Sequence, residues 1–322
     1  AFQNYVECTT AALMASAGYI VVMADYPGFG DSTEPHPYVQ LSLGESVRTI
    51  LSRAQAVLAN LAASARPHGK IYLIGYSEGG FVTMAAARPL REAGFSVIAA
   101  VPCAGSYDLS GAMLADILAD KEAVSPYYLP YTVYGYASSY RSTGLPGDPW
   151  YYGALLQPSV AASLDYFFSG GQTSTAINAA IGSVTGYKTV KNMLADGLAD
   201  QLDGYLKGVP PADPTPTAKE VYDKLVKNTV FHTDWEPDTL VQMVHCPTDD
   251  VVPADNAMNL FMAYNPRYPA IVDRPNVRYP IWVPPVSLPE ELASLADTHL
   301  LAFPTAMIAG FTFIETVNGG SL

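Results

Sequence analysis

Charge is scarce in this 322-residue chain, and what there is leans one way. Asp, Glu, Lys and Arg make up only 15% of residues, and 17 basic residues face 30 acidic ones, leaving a net charge of −13. Such a surface repels a polyanion, and no basic stripe reverses the sign locally, so nucleic acid is not an expected partner. Cysteine is scarcer still. Cys8, Cys103 and Cys246 match no zinc spacing; they read as free thiols or as one disulfide with a thiol left over. Asp249, Asp250 and Asp255 are better explained as loop or site carboxylates than as calcium ligands. No metal or cofactor is expected. Long apolar runs are also missing. The longest, Leu300 to Ile314, falls short of the roughly 20 residues a spanning helix needs and contains Pro304, so no membrane span is expected. Residues 1–18 lack the basic start of a signal peptide. There is no internal repeat and no low-complexity tract.

Apolar residues are plentiful, at 49%, enough for a substantial core in one large domain or a domain with an insert. Gly18 to Ala24 reads as a buried strand closed by the turn Tyr26-Pro-Gly-Phe-Gly30. Leu41 to Ala65 has helical spacing. Lys70 to Gly75 is a second strand, Gly79 to Ala93 a small-residue helix, and Ser96 to Pro102 a third strand. Strands alternating with helices imply crossovers, hence a mostly parallel sheet covered on both faces. From about Ser106 to Glu236 the rhythm stops. This stretch is rich in Tyr, Gly and Pro, with helical pieces near Ser110–Lys121, Ser159–Phe168 and Ala218–Lys227. It reads as an inserted helical cap, dividing the chain into core residues 1–105, cap 106–236 and core 237–322. The rhythm returns with a strand at Thr239–Cys246, a helix at Asp255–Tyr264, a strand at Val277–Val283 and a closing helix from about His299.

Gly75-Tyr76-Ser77-Glu78-Gly79 fits G-x-S-x-G between a strand and a helix. A sharp turn there lifts a serine into a strained, exposed position, and glycines keep its flanks clear. The helix dipole and the Glu78 N–H then face the place where an oxyanion forms. A serine so placed needs a base from late in the chain, which singles out His299. Of the other histidines, His36 sits in a Pro-flanked loop and His68 beside a helix end; both read as surface residues. His232 lies near the end of the cap, and His245 reads as a core or turn residue. The orienting acid falls in the loop after Cys246. Asp249 is favoured on motif register, Asp250 is the alternative, and Asp108 is a third candidate read as a turn or cap residue.

Asp25-Tyr-Pro-Gly-Phe-Gly-Asp-Ser32 with His36-Pro-Tyr38, Gly75-Tyr-Ser-Glu-Gly-Gly80, and His245-Cys-Pro-Thr-Asp-Asp-Val-Val-Pro253 together resemble exported lipase- and esterase-type α/β hydrolases, including the secretory lipase family. The resemblance implies an α/β-hydrolase fold, cofactor-free hydrolysis of a small-molecule or lipid ester, and a triad of Ser77, Asp249 and His299. It also implies a His-Gly element on an earlier strand, giving a second oxyanion donor; this chain lacks it, and the first strands of the fold are expected to be absent. With 22 Tyr, 26 Pro and few Lys, a secreted or periplasmic location is expected. Two alternatives stay open: a peptidase on the same fold, and a structural or binding protein that kept the shape without turnover. The tyrosines of the cap either line an apolar or sugar-stacking cleft or pack on one another.

Overall fold

A computed structural model describes residues 5–32, 34–60, 67–185, 189–232, 236–287 and 297–319. In chain order, helices α1 (Tyr5–Ser16) and α2 (Gln40–Leu58) precede strand β1 (Lys70–Tyr76), helix α3 (Glu78–Glu92) and strand β2 (Ser96–Cys103). Short helices α4 (Leu114–Leu118), α5 (Tyr128–Tyr140), α6 (Tyr152–Leu155), α7 (Pro158–Ala161), α8 (Leu164–Phe168), α9 (Ser174–Ala180), α10 (Leu198–Leu206) and α11 (Pro216–Asn228) follow. Strand β3 (Leu240–His245), helix α12 (Asp255–Tyr264), strand β4 (Val277–Trp282) and helix α13 (Thr298–Asn318) complete the chain.

The strands form one parallel sheet in the order β1-β2-β3-β4. The central strands β2 and β3 are mostly buried, since both of their faces are covered, whereas the edge strand β4 exposes Arg278 and Tyr279. Ala100, Val241, Met243 and Val277 pack against Phe81 of α3 and Leu260 and Phe261 of α12. Ala99, Val101, Cys103 and Val244 face Phe303, Ala306, Met307 and Phe313 of α13. The register pairs Tyr76 with Cys103 and Cys103 with Val244. The carboxyl ends of the three strands therefore lie level, and the loops leaving them converge, as in other open parallel sheets.

Gly18–Ala24 differs from expectation. It joins no ladder, and Ile20, Val22 and Met23 are 40–53% exposed. Tyr19 explains its course. The Tyr19 hydroxyl donates to the Glu315 carboxylate, and its ring meets Tyr72 at 5.9 Å and Phe311 at 5.6 Å, edge on. An apolar run becomes a strand only where a neighbour takes its N–H and C=O groups, and here side-chain anchoring replaces that pairing.

The closing helix starts where expected, near His299, and extends beyond the apolar run Leu300–Ile314. Pro304 lies within its second turn and removes only the bond to the Leu300 carbonyl, so α13 continues unbroken for 21 residues. By length and composition it is apolar enough to cross a membrane. In this structure it packs on the sheet, with Gly310 so close to Val101 that a methyl there would approach its Cγ1 to 2.9 Å. The three cysteines are free; Cys103 and Cys246 are buried and Cys8 is exposed.

Between β2 and β3 the described residues fold around a separate apolar cluster that includes Leu155, Leu156, Val160, Leu164, Phe167 and Met193. Thr173 caps α9 and Thr215 caps α11, each accepting a backbone N–H at 3.2 Å. The expected helix at Ser110–Lys121 is a π-turn at Leu109–Met113 followed by α4. The piece at Ser159–Phe168 is broken into α7 and α8. Tyr136, Tyr140 and Trp150 pack together at 5.5–5.7 Å, so some of the tyrosines between β2 and β3 pack on neighbouring aromatic rings.

Candidate active site

The turn from β1 into α3 puts Ser77 at φ 57° and ψ −121°, a strained conformation for a residue with a side chain. Its N–H donates to the Cys103 carbonyl of the next strand at 2.9 Å. The glycines around it are required by closeness. A Cβ on Gly75 would lie 2.2 Å from the Gly79 oxygen, and one on Gly80 would lie 2.4 Å from the Cys103 oxygen. Glu78 begins α3, so its N–H belongs to the first turn, whose amides have no partners within the helix.

His299 is delivered by the first turn of α13. Its Nε2 is 2.8 Å from Ser77 Oγ, and its Nδ1 is 2.6 Å from Asp249 Oδ2. A carboxylate only accepts, so Nδ1 carries the proton and Nε2 is left to accept from the serine hydroxyl. Asp249 is fully buried. Its other oxygen accepts from the Val251 and Val252 N–H groups at 3.0 and 2.8 Å. Those bonds fix the carboxylate in place.

Asp250 points elsewhere. Its two oxygens accept from the Thr298 and His299 N–H groups at 3.1 Å each, and Asp297 accepts from Leu300 N–H at 2.7 Å. These carboxylates satisfy the free amides at the start of α13 and favour its dipole. Tyr76 holds the same turn: its hydroxyl donates to the His299 carbonyl, and its ring lies 4.9 Å from the imidazole. Burial above all, and then the nearby charge of Asp249, push the Tyr76 phenol well above its ordinary range, so it stays a neutral donor.

Asp108 lies outside this group. Its carboxylate accepts from Gly111 N–H, Ala112 N–H and the Asn259 amide at 2.6–3.0 Å, a capping role. His68 and His232 are exposed. His245 is fully buried, its Nε2–H donating to the Val252 carbonyl at 2.9 Å, with the same nitrogen 3.6 Å from Asp249. Burial holds its pKa below the usual imidazole value, with Asp249 opposing.

His36 corrects the surface reading. It is 4% exposed and faces the nucleophile turn, with Nδ1 2.7 Å from the Pro27 carbonyl and Nε2 hydrogen-bonded to the Glu78 carboxylate. Two features hinted at it: a charged residue directly after the serine, and a histidine within the motif piece His36-Pro-Tyr38. Among the described residues no group of three or more His, Cys, Asp and Glu side chains is arranged to hold a metal ion.

No protein-family model matches the chain, and no curated protein matches it. Solved structures do. A presumed hydrolase from Legionella pneumophila superposes with a TM-score of 0.70 at 22% identity, over 98% of this chain and 74% of that one. The rice cell wall degrading esterase LipA from Xanthomonas oryzae gives 0.64 at 18% identity, over 88% of this chain and 68% of that one. With the parallel sheet and its helices on both faces, the likeness establishes an α/β-hydrolase fold.

Proposed function

We propose that the chain is a serine hydrolase that cleaves carboxylic esters through an acyl-enzyme. One observation carries the reading: Ser77, His299 and Asp249 stand in a hydrogen-bonded line, with spacings of 2.8 and 2.6 Å, at a strained strand-to-helix turn. Ser77 Oγ attacks the ester carbonyl carbon while His299 Nε2 takes the hydroxyl proton. Asp249 keeps the ring in the correct tautomer and stabilises the imidazolium. The carbonyl oxygen becomes an anion and receives the Glu78 N–H, aided by the positive end of α3. On collapse the C–O bond to the leaving group breaks, and the imidazolium protonates the departing alcohol. Water, deprotonated by His299, then attacks the acyl-serine and releases the carboxylic acid.

In this reading residues 106–236 are a cap over the site and shape its substrate. A cavity of about 110 Å³, bounded by Ile117, Val124, Tyr128, Leu129 and Val251, offers mostly apolar room beside the acid loop. It suits a small-molecule or lipid ester with a short apolar group. A secreted or periplasmic location fits the composition, and it also fits the likeness to an esterase that degrades a plant cell wall. The test is turnover of p-nitrophenyl esters of increasing chain length, beside peptide p-nitroanilides, with Ser77→Ala as control. Ester turnover lost on substitution supports the proposal. Peptide turnover exceeding ester turnover favours a peptidase. Turnover that survives Ser77→Ala contradicts the nucleophile assignment.

A further inference from the structure

Glu78 poses a problem for that chemistry. The residue whose N–H receives the oxyanion carries a carboxylate, and a second negative charge beside a developing anion opposes its formation. His36 meets that carboxylate directly. The imidazole has an acceptor at each nitrogen: the Pro27 carbonyl at Nδ1 and the Glu78 carboxylate at Nε2. The carbonyl requires Nδ1 to carry a proton, so a second proton must lie between Nε2 and the carboxylate. Whichever of the two atoms holds that proton, the pair carries no net charge.

The ring is held from several sides. Phe29 lies 4.6 Å from it, and Tyr131 of α5 is stacked at 6.0 Å with 9° between the planes. The backbone closes round it as well: a Cβ on Gly28 would fall 2.4 Å from His36 Cα, and one on Gly135 would fall 2.2 Å from the His36 oxygen. The carboxylate is otherwise surrounded by phenols. Tyr26, Tyr38 and Tyr131 feel its charge, and burial first, then that charge, hold all three above their ordinary range and neutral. Tyr128 is raised in the same way, by burial first and more weakly by Glu78. Among the described residues no lysine or arginine pairs with Glu78.

We infer that His36 and Glu78 act as one charge-compensated pair that positions the oxyanion donor and removes the electrostatic penalty of its own side chain. His36 is a positioning residue joining the Tyr26–Gly30 turn, the cap helix α5 and the start of α3. The inference rests on the ester-hydrolase reading, and its test separates the two. Turnover of p-nitrophenyl butyrate is measured for the unsubstituted protein, His36→Gln, Glu78→Gln and the double variant. His36→Gln is expected to lower kcat on the order of 100-fold with little change in KM, the scale of a misaligned catalytic group. The double variant is expected to regain kcat relative to His36→Gln, because the uncompensated charge is gone. A double variant equal to or slower than His36→Gln overturns the pair. Absence of any Ser77-dependent turnover in the unsubstituted protein refutes the hydrolase reading instead. A second readout needs neither activity nor a folded His36 variant. Proton and nitrogen-15 spectra are expected to show one hydrogen-bonded proton shared between His36 Nε2 and the Glu78 carboxylate, and to lose that signal in Glu78→Gln. Absence of the shared proton in the unsubstituted protein also overturns the pair.

Discussion

Asp249 and Asp250 are neighbours in sequence, yet they hold His299 from two different sides. Asp249 Oδ2 takes the ring at Nδ1, 2.6 Å away, while Asp250 takes the backbone N–H at 3.1 Å. One carboxylate orients the imidazole; the other anchors the helix end that delivers it.

Replacing them should therefore give different losses. Asp249→Asn is expected to lower kcat by about 10,000-fold, since an amide there can favour the wrong tautomer. Asp250→Ala, which removes both acceptors, is expected to cost about 1 kcal/mol of stability, the usual effect of a lost helix cap, with a far smaller loss of turnover. Steady-state kinetics and thermal unfolding of both variants check this. Equal losses of turnover would contradict the division.

The strain at Ser77 predicts a trade between stability and activity. With φ at 57° and ψ at −121°, a side chain is disfavoured and glycine is not. Ser77→Gly and Ser77→Ala are both expected to be inactive. The glycine variant should nevertheless be more stable than the alanine variant by about 1 kcal/mol, measured by denaturant unfolding.

Close packing at the turn predicts the opposite sign for a neighbouring glycine. Gly80→Ala drives a methyl to 2.4 Å from the Cys103 oxygen, and backbone must move. The expected cost is about 1–3 kcal/mol, with reduced turnover, because Gly80 lies within the first turn after the nucleophile.

His245 predicts a pH dependence of stability. Burial lowers its pKa in the folded protein, so the unfolded chain binds its proton first as pH falls. Its contribution is then present above the unfolded imidazole value of roughly 6.5 and is lost as pH falls below it, by at most about 1.4 kcal/mol per pH unit. His245→Gln, which keeps a donor for the Val252 carbonyl, is expected to flatten the stability curve between pH 7 and 5. An unchanged slope would contradict this.

The sheet was legible because its strands are short and rich in apolar residues, the central ones buried on both faces, and because the Gly75–Gly79 turn is local in sequence. Gly18–Ala24 has the same composition, but strand formation depends on a partner, which composition does not encode. His36 was only hinted at, for a related reason. Its burial is created by Gly28 and Gly135, the second of them far along the chain, closing on its backbone. Motif register favoured Asp249 over Asp250; the approach of α13 shows what each of them holds. Pro304 counted against a spanning helix, yet its place near the start of α13 leaves that helix unbroken.

The most direct measurement is covalent labelling with a fluorophosphonate, followed by mapping of the modified peptide by mass spectrometry. The account predicts a single adduct on Ser77, formed at least 1000-fold more slowly in His299→Ala, the scale of losing the general base. An adduct on a different serine, or no adduct in folded protein, would contradict it.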